Sequence, residues 1–115
     1  MAYKDNNVTY GFGQMGSIHV AGTVATTPNG VAGMEKAVFC AITFLEDTVF
    51  HNSLAGLTPE DISLYPGGTG STSAGIDVNG GAITGGEVFP KGMTIYGRWT
   101  SLTLASGRVI AYIGY

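Results

Sequence analysis

Hydrophobic and polar residues alternate in short stretches along this chain, as they do in β-strands that are buried on one face. The clearest case is residues 17–24, with the sequence SIHVAGTV. One face of such a strand would carry Ile18, Val20 and Val24, and the other would carry Ser17, His19 and Thr23. The segment is therefore predicted to be a strand with its apolar face towards a core.

A longer apolar run, residues 36–45 (KAVFCAITFL), has almost no polar positions. Continuous apolar sequence is typical of a central strand that is covered on both faces. The polar pair Glu46 and Asp47 ends it, and residues 48–54 (TVFHNSL) form the next run of strand-forming residues. The two runs are predicted to pair as a hairpin across this short connection.

Strand-forming residues are densest in residues 89–115, which contain the only Trp and three of the six Tyr. A long strand is predicted over residues 93–104. A turn is predicted at residues 105–107 (ASG), because Gly and Ser favour turns, and a last strand over residues 108–113.

The long strand does not alternate regularly. Ile95 and Trp99 have one parity, and Leu102 and Leu104 have the other. A bulge within residues 97–101 would bring all four side chains to one face. Alternatively, the strand is covered on both faces, by the core on one side and by a neighbouring subunit on the other.

Glycine accounts for 19 of the 115 residues, against an average of about 7%, and indicates many tight turns. Residues 66–86 form a glycine-rich loop, within which Asn79-Gly80 favours a two-residue hairpin turn. One helix-start signal occurs, in LTPEDIS: Thr58 suits the capping position and Pro59 the first helical position. At most one helical turn is expected there.

These patterns predict an all-β protein, either a single antiparallel β-sandwich or a short, jelly-roll-like β-barrel. Residues 1–15 are expected to form an extended N-terminal arm, and residues 16–115 a single β domain. The arm contains three aromatic residues that could anchor it on another surface, Tyr3, Tyr10 and Phe12.

Only 11% of the residues are charged, compared with about 25% in an average soluble protein. A surface so poor in charge indicates burial against copies of the same chain or against a partner. The net charge is −3 and the five basic residues are scattered, so nucleic-acid binding is not expected. No apolar stretch is long enough for a membrane span, so no membrane partner is expected.

A metal site is not expected either. His19 and His51 lie on separate predicted strands, and two histidines meeting across a sheet would make only a weak zinc site. Cys40, the single cysteine, lies in the apolar run and is expected to be a buried, unreactive thiol.

The sequence lacks the usual motifs of enzymes. GGTGST at residues 67–72 has no following Lys-Ser or Lys-Thr to complete a phosphate-binding loop. No serine lies in a G-x-S-x-G elbow, and the carboxylate pairs at 46–47 and 60–61 occur in turn contexts. We therefore expect no catalytic activity and no cofactor.

Surface aromatic residues leave a binding function open. Tyr96 and Arg98 share a face of the predicted long strand, and Tyr112 on the next strand is expected near them. An aromatic ring beside a charged hydrogen-bond donor can contact carbohydrate or protein. The alternative is that Tyr96 and Trp99 fill the core and a subunit interface.

The closing segment resembles the C-terminal region of small structural proteins of tailed-bacteriophage particles. The resemblance rests on Gly97-Arg98-Trp99-Thr100, the Ser106-Gly107 turn and Val109-Ile110-Ala111-Tyr112, and it covers roughly residues 88–115. The N-terminal part is similar only in being rich in Gly and Thr. The resemblance implies a non-enzymatic β-sandwich or short barrel that is assembled on the virion.

The expected function is therefore that of a capsid decoration or cement protein, made in the host cytoplasm and bound to the outside of the phage head. Its expected partners are the major capsid protein and itself, as a homo-oligomer, preferably a trimer. Arm docking is assigned to Tyr3, Tyr10 and Phe12, and the subunit interface to Tyr96, Arg98 and Trp99. The alternative is a tail, neck or fibre-associated module that contacts host glycan or another virion protein.

Overall fold

Eight β-strands form two antiparallel sheets in the computed structural model, which describes residues 16–28, 37–51, 56–61, 64–67 and 84–114. No helix occurs within these ranges. The strands are β1 (Ser17–Val20), β2 (Val38–Phe44), β3 (Thr48–Phe50), β4 (Leu57–Pro59), β5 (Val88–Phe89), β6 (Thr94–Leu102), β7 (Leu104–Ser106) and β8 (Val109–Gly114). The larger sheet has the order β1-β8-β2-β6-β4, and the smaller sheet has the order β5-β3-β7.

The two sheets pack face to face around one hydrophobic core, so the predicted all-β sandwich is confirmed. The larger sheet contributes the inward side chains of β2, β6 and β8, and the smaller sheet contributes Phe50 and Leu104. Three phenylalanines join the layers at one end: the ring of Phe44 stacks on Phe89 at a centroid distance of 4.9 Å, and Phe50 meets both rings edge-on. Aromatic pairs in these geometries add specific packing energy to the area that they bury.

The predicted central strand is confirmed, since β2 lies in the middle of the larger sheet between β8 and β6. Its inner face carries the buried Phe39, Ile42 and Phe44. Its outer face is only partly covered, because Ala41 is buried while Thr43 is half-buried.

The predicted hairpin between β2 and β3 is wrong. β2 pairs with β6 and β8 in the larger sheet, whereas β3 pairs with β5 and β7 in the smaller one. The tightest hairpin turns need positive φ angles, which neither Glu46 nor Asp47 adopts. Instead, the Thr48 hydroxyl donates to the Glu46 carbonyl at 2.8 Å, and the chain turns into the other sheet.

From β6 onwards the closing segment also changes sheet twice. The predicted strand 93–104 divides at Thr103 into β6 of the larger sheet and β7 of the smaller sheet. The Thr103 N–H donates to the Gly56 carbonyl, and the Thr103 carbonyl accepts from the N–H of His51. Its backbone groups therefore take no part in the hydrogen bonds between paired strands of either sheet. The predicted turn at residues 105–107 is present, with Gly107 at φ +94°, and it leads back into the larger sheet as β8.

The predicted bulge lies in β6. Thr58 pairs with Ser101 and Pro59 with Trp99, so Thr100 is the extra residue opposite β4. The bulge brings Trp99 and Leu102 to the same face, and both belong to the core together with Leu104. Ile95 packs against that core, so all four side chains face inwards as predicted.

Two local expectations are corrected. Val24 does not extend the apolar face of the first strand, because β1 ends at Val20 and Val24 is 75% exposed. Thr58 and Pro59 do not begin a helix, because they pair with β6, and Pro59 is tolerated there since β4 ends the sheet. A single turn forms just afterwards, where Leu64 and Tyr65 donate their N–H groups to the Asp61 carbonyl.

Some predictions fall outside the described residues. They are the arm 1–15 with Tyr3, Tyr10 and Phe12, and the hairpin turn at Asn79-Gly80 within loop 66–86. These stay predictions.

Candidate binding face of the larger sheet

The outer face of the larger sheet presents two rows of side chains that cross its strands. The strand register gives the first row, which consists of Ser17, Tyr112, Ala41 and Tyr96. The second row consists of His19, Ile110, Thr43 and Thr94. The residues of these rows alternate with the core residues of the same strands, as a half-buried antiparallel sheet requires.

A shallow depression of about 330 Å³ lies on this face and is lined by Ala41, Thr43, Thr94, Tyr96 and Tyr112. We call it the tyrosine cleft. The methyl group of Ala41 stands between Tyr112 on β8 and Tyr96 on β6, because β2 separates those strands. Beside Ala41, the hydroxyls of Thr43 and Thr94 share a hydrogen bond of 2.9 Å, in which either oxygen can donate. The lining therefore combines two phenol rings with hydroxyl groups and contains no charged side chain.

Tyr96 is the most accessible member of the cleft, with 64% of its surface exposed. The sequence placed Tyr96, Arg98 and Tyr112 on one face, and the structure does bring Tyr96 and Tyr112 to the same cleft. Sequence reasoning missed Ala41, Thr43 and Thr94. Their signal was the alternation within β2 and β6, but the apolar run of β2 hid which of its positions face outwards.

Arg98 forms a two-point ion pair with Glu60, which lies just after β4. Its Nε donates to Oε1 at 2.7 Å and its Nη2 donates to Oε2 at 3.0 Å. The N–H of Glu60 also donates to the Arg98 carbonyl at 2.8 Å, so side chains and backbone tie the end of β4 to β6. The hydrogen bonds from Arg98 lower the pKa of the Glu60 carboxyl, and Glu60 raises the pKa of Arg98. The predicted interface role of Arg98 stays a prediction for a side chain that already has a partner within the chain.

Trp99 lies in the core and has 0% of its surface exposed. Its indole Nε1 donates to the Pro66 carbonyl at 2.9 Å, which satisfies the polar end of the buried ring. Trp99 can therefore support a subunit interface only indirectly, by holding β6 and residues 64–67 in place.

Cys40 is half-buried rather than fully buried, at the point where β2 bulges. Phe39 pairs with Ile113 and Ala41 with Tyr112, so Cys40 is the extra residue opposite β8. Its Sγ donates to the Tyr112 carbonyl at 3.4 Å. Burial raises the pKa of the thiol, which agrees with the expected unreactive cysteine.

A second surface feature lies where β5 turns into β6. Val88 and Met93 are 61% and 42% exposed, on either side of the turn at residues 90–92. The turn is tied to the sandwich, since the Lys91 N–H donates to Asp47 Oδ1 at 3.0 Å and the Gly92 N–H donates to the Phe44 carbonyl at 2.8 Å. We call Val88, the turn 90–92 and Met93 the β5–β6 corner.

The structure gives no support to a metal centre among the residues that it describes, where no group of three or more His, Cys, Asp and Glu comes together. His19 lies on β1 of the larger sheet, and His51 follows β3 of the smaller sheet, so the two do not meet across one sheet. Within the same ranges no helix is long and apolar enough to cross a membrane.

The chain matches no family model, no curated protein and no solved structure.

Proposed function

We propose that this chain is a structural protein of a phage particle, a decoration or cement protein that binds the major capsid protein on the outside of the head. Two observations support the proposal. The closing segment resembles phage structural proteins, and the sandwich leaves large hydrophobic side chains exposed on a surface with few charges.

The β5–β6 corner is the main structural support for the proposal. Val88 and Met93 are exposed hydrophobic side chains on either side of a turn whose N–H groups bond to the Asp47 carboxylate and the Phe44 carbonyl. A preformed apolar contact loses little conformational entropy on binding, which favours association. Apolar side chains on an ordered turn are therefore suited to insertion between capsid subunits.

In this mechanism the protein stabilises the shell by mass action. A protein that binds only the assembled, expanded lattice shifts the equilibrium towards that lattice. Oligomerisation, with a trimer as the proposed state, would multiply individually small contacts into avidity. Tyr96 and Arg98 remain the proposed contacts between subunits, with Tyr3, Tyr10 and Phe12 for the arm.

The first experiment measures the copy number of this chain in purified particles by quantitative mass spectrometry against the major capsid protein. A ratio of the same order as that of the capsid protein supports decoration of the shell. A ratio far below it moves the chain to the neck, tail or fibres. Absence from the particle contradicts the proposal.

A second experiment tests the β5–β6 corner. The double variant Val88→Ser, Met93→Ser is expected to lose binding to chain-free capsids in a co-sedimentation assay, because it removes the exposed apolar contact. Val24→Ser is the matched control, since Val24 is an exposed hydrophobic residue outside the corner. Wild-type binding by the double variant would exclude the corner as the contact.

A second candidate function is a tail, neck or fibre-associated module that contacts host glycan. The tyrosine cleft favours it, because aromatic rings and hydroxyl groups meet there without charge.

A further inference from the structure

The spacing of the tyrosine cleft suits one ring-shaped group. Tyr96 and Tyr112 are both in register with Ala41, on strands that flank β2 on opposite sides. Two strand spacings separate their backbones by about 9.5 Å. Ring centroids stack at about 4.5–7 Å, so a depression between tyrosines at this spacing matches a single ring. Ala41 is covered, with 2% of its surface exposed, so the ring would rest on the tyrosine and threonine side chains rather than on the Ala41 methyl group.

The floor of the cleft offers neutral hydrogen-bonding groups. Thr43 and Thr94 carry two hydroxyl hydrogens, and the 2.9 Å bond between their oxygens uses one of them. The second hydrogen is left to donate to another acceptor, and both oxygens keep acceptor capacity. A ligand with hydroxyl groups at its ring edge can use both, whereas a purely apolar ligand would leave them unsatisfied.

The charges in and around the cleft distinguish between the classes of ligand that it could bind. None of the five lining side chains carries a charge, so the cleft holds no cation for a phosphate or a carboxylate. Arg98, on the same strand as Tyr96, is held by Glu60. A nucleobase would also stack between tyrosines, but single-stranded nucleic acid needs a cationic groove along its backbone, and the chain has a net charge of −3.

We propose that the tyrosine cleft binds one ring of a neutral saccharide, which packs on Tyr96 and Tyr112 and forms hydrogen bonds through its hydroxyl groups with Thr43 and Thr94. The site lies on paired strands beside the β2 bulge at Cys40, so its geometry is held by strand pairing rather than by loops. An open cleft for one ring is expected to bind in the millimolar range, and several copies on one particle would raise the avidity. This site rests on the glycan-binding candidate function and names its ligand class, and it excludes Tyr96 as a contact between subunits. Its test needs no particle, so its failure would leave the capsid role untouched.

The experiment uses the purified full chain labelled with ¹⁵N. It is titrated by NMR with neutral oligosaccharides that end in glucose, galactose, mannose or N-acetylglucosamine. At least one of them is expected to shift the amide signals of Ala41, Thr43, Thr94 and Tyr112 in a saturable way. No shift with any of these sugars would overturn the proposal.

Variants assign the binding to the cleft. Tyr96→Ala and Tyr112→Ala are each expected to weaken binding by about tenfold, because each removes one of the two aromatic surfaces on which the sugar ring packs. Tyr96→Phe, which keeps the ring, should retain most of the affinity. Thr43→Val should weaken binding without loss of the fold, because it removes a hydroxyl and keeps the shape.

Controls separate this site from the other proposals. The double variant Val88→Ser, Met93→Ser should bind the sugar as the wild type does, even where it loses capsids. Preference for a sialylated over a neutral oligosaccharide would overturn the neutral assignment. Shifts at the cleft that follow protein concentration without sugar would show that a second copy occupies it, and would also overturn the proposal.

Discussion

At the scale of single residues, the contact between Gly97 and Trp99 shows how closely this core is packed. A Cβ atom on Gly97 would lie 2.7 Å from Cη2 of the Trp99 ring, whereas a Cβ on Gly22 would meet nothing within 4 Å. The same edge of the ring is held by the hydrogen bond from Nε1 to the Pro66 carbonyl. It cannot move away from an added methyl group without breaking that bond.

We therefore predict that Gly97→Ala destabilises the protein by about 1–3 kcal/mol, the usual cost of overpacking a core. Urea denaturation followed by Trp99 fluorescence measures it, and the native emission should change as well. Gly22→Ala is the matched control and should stay within about 0.5 kcal/mol of the wild type. Equal effects of the two substitutions would rule out the ring contact as the cause.

The Glu60–Arg98 pair predicts a dependence of stability on pH. Arg98 lowers the pKa of the Glu60 carboxyl below its ordinary value of 4.5, so the pair stabilises the folded state above that pH. The contribution is lost as the pH falls through the lowered pKa, because the folded state then has to protonate a carboxylate that Arg98 holds ionised.

The measurement is the free energy of unfolding of the wild type and of Glu60→Gln as a function of pH. The wild type should be the more stable at neutral pH, and the difference should disappear below the folded pKa of Glu60. Arg98→Ala should remove the same pH dependence. A difference that persists at low pH would show that the ion pair is not its source.

At the scale of the strands, the turn between β7 and β8 decides where the chain changes sheet. Gly107 has φ +94°, and a Cβ there would collide with backbone and side-chain atoms at Thr48 and with the Asp47 carbonyl. Gly92 has nearly the same backbone conformation, with φ +88°, but a Cβ there would meet nothing within 4 Å. The two positions thus share the conformational strain and differ in the collision.

We predict that Gly92→Ala costs about 1–2 kcal/mol, the strain of a left-handed conformation in an L-residue. Gly107→Ala should cost a further ~1–3 kcal/mol from the collision. Thermal or urea denaturation of both variants measures the difference. Equal losses would mean that the chain relaxes around the added methyl group.

The strands themselves were largely predictable from the sequence, but their partners were not. Alternation and apolar runs located β1, β2, β6 and β8, and the parity change after Trp99 predicted the bulge in β6. The pairing of β2 with β3 failed because local sequence shows only a short polar connection at Glu46 and Asp47. Whether such a connection makes a hairpin or a crossing depends on Thr48 and on Arg108, whose carbonyl accepts from Leu45, and Arg108 is far away in the sequence.

The candidate site was predictable only in part, for the same reason. Tyr96 and Tyr112 could be proposed as neighbours because they lie on adjacent runs of the closing segment. Ala41 could not, because nothing in an apolar run shows that one small residue separates two aromatic ones. Trp99 was predicted at the subunit interface. Its side chain lies in the core instead, because the residue lies between Gly97 and the bulge, on the inward face of β6.

At the scale of the whole molecule, the cluster of Phe44, Phe50 and Phe89 couples the two sheets. Phe44 belongs to the larger sheet, and Phe50 and Phe89 belong to the smaller one, with all three ring pairs within 5.9 Å. Because the β2–β3, β6–β7 and β7–β8 connections all cross between the sheets, neither sheet is a separate segment of chain. The sandwich is expected to unfold as one unit.

We predict that Phe50→Ala costs about 3–5 kcal/mol, as for other large aromatic truncations in a core. Unfolding followed by Trp99 fluorescence, which reports the larger sheet, should coincide with unfolding followed by circular dichroism. Val24→Ala, at an exposed position, is the control and should change stability by less than about 0.5 kcal/mol. Two separate transitions would contradict the coupling.

The sheet order has a consequence for how the chain acquires its structure. Among the strands that the structure describes, β1 pairs with β8 alone, from Ser17 with Tyr112 to Val20 with Val109, and β2 lies between β8 and β6. β1 and β2 therefore cannot form their hydrogen bonds with β6 and β8 until those later strands have been synthesised. Closing the long loops between them costs conformational entropy before any of these bonds form. The molecule should fold slowly, in milliseconds to seconds, as other proteins of high contact order do. During that interval the apolar run of β2 has no partner, so a chaperone that shields nascent strands would raise the yield of native protein most.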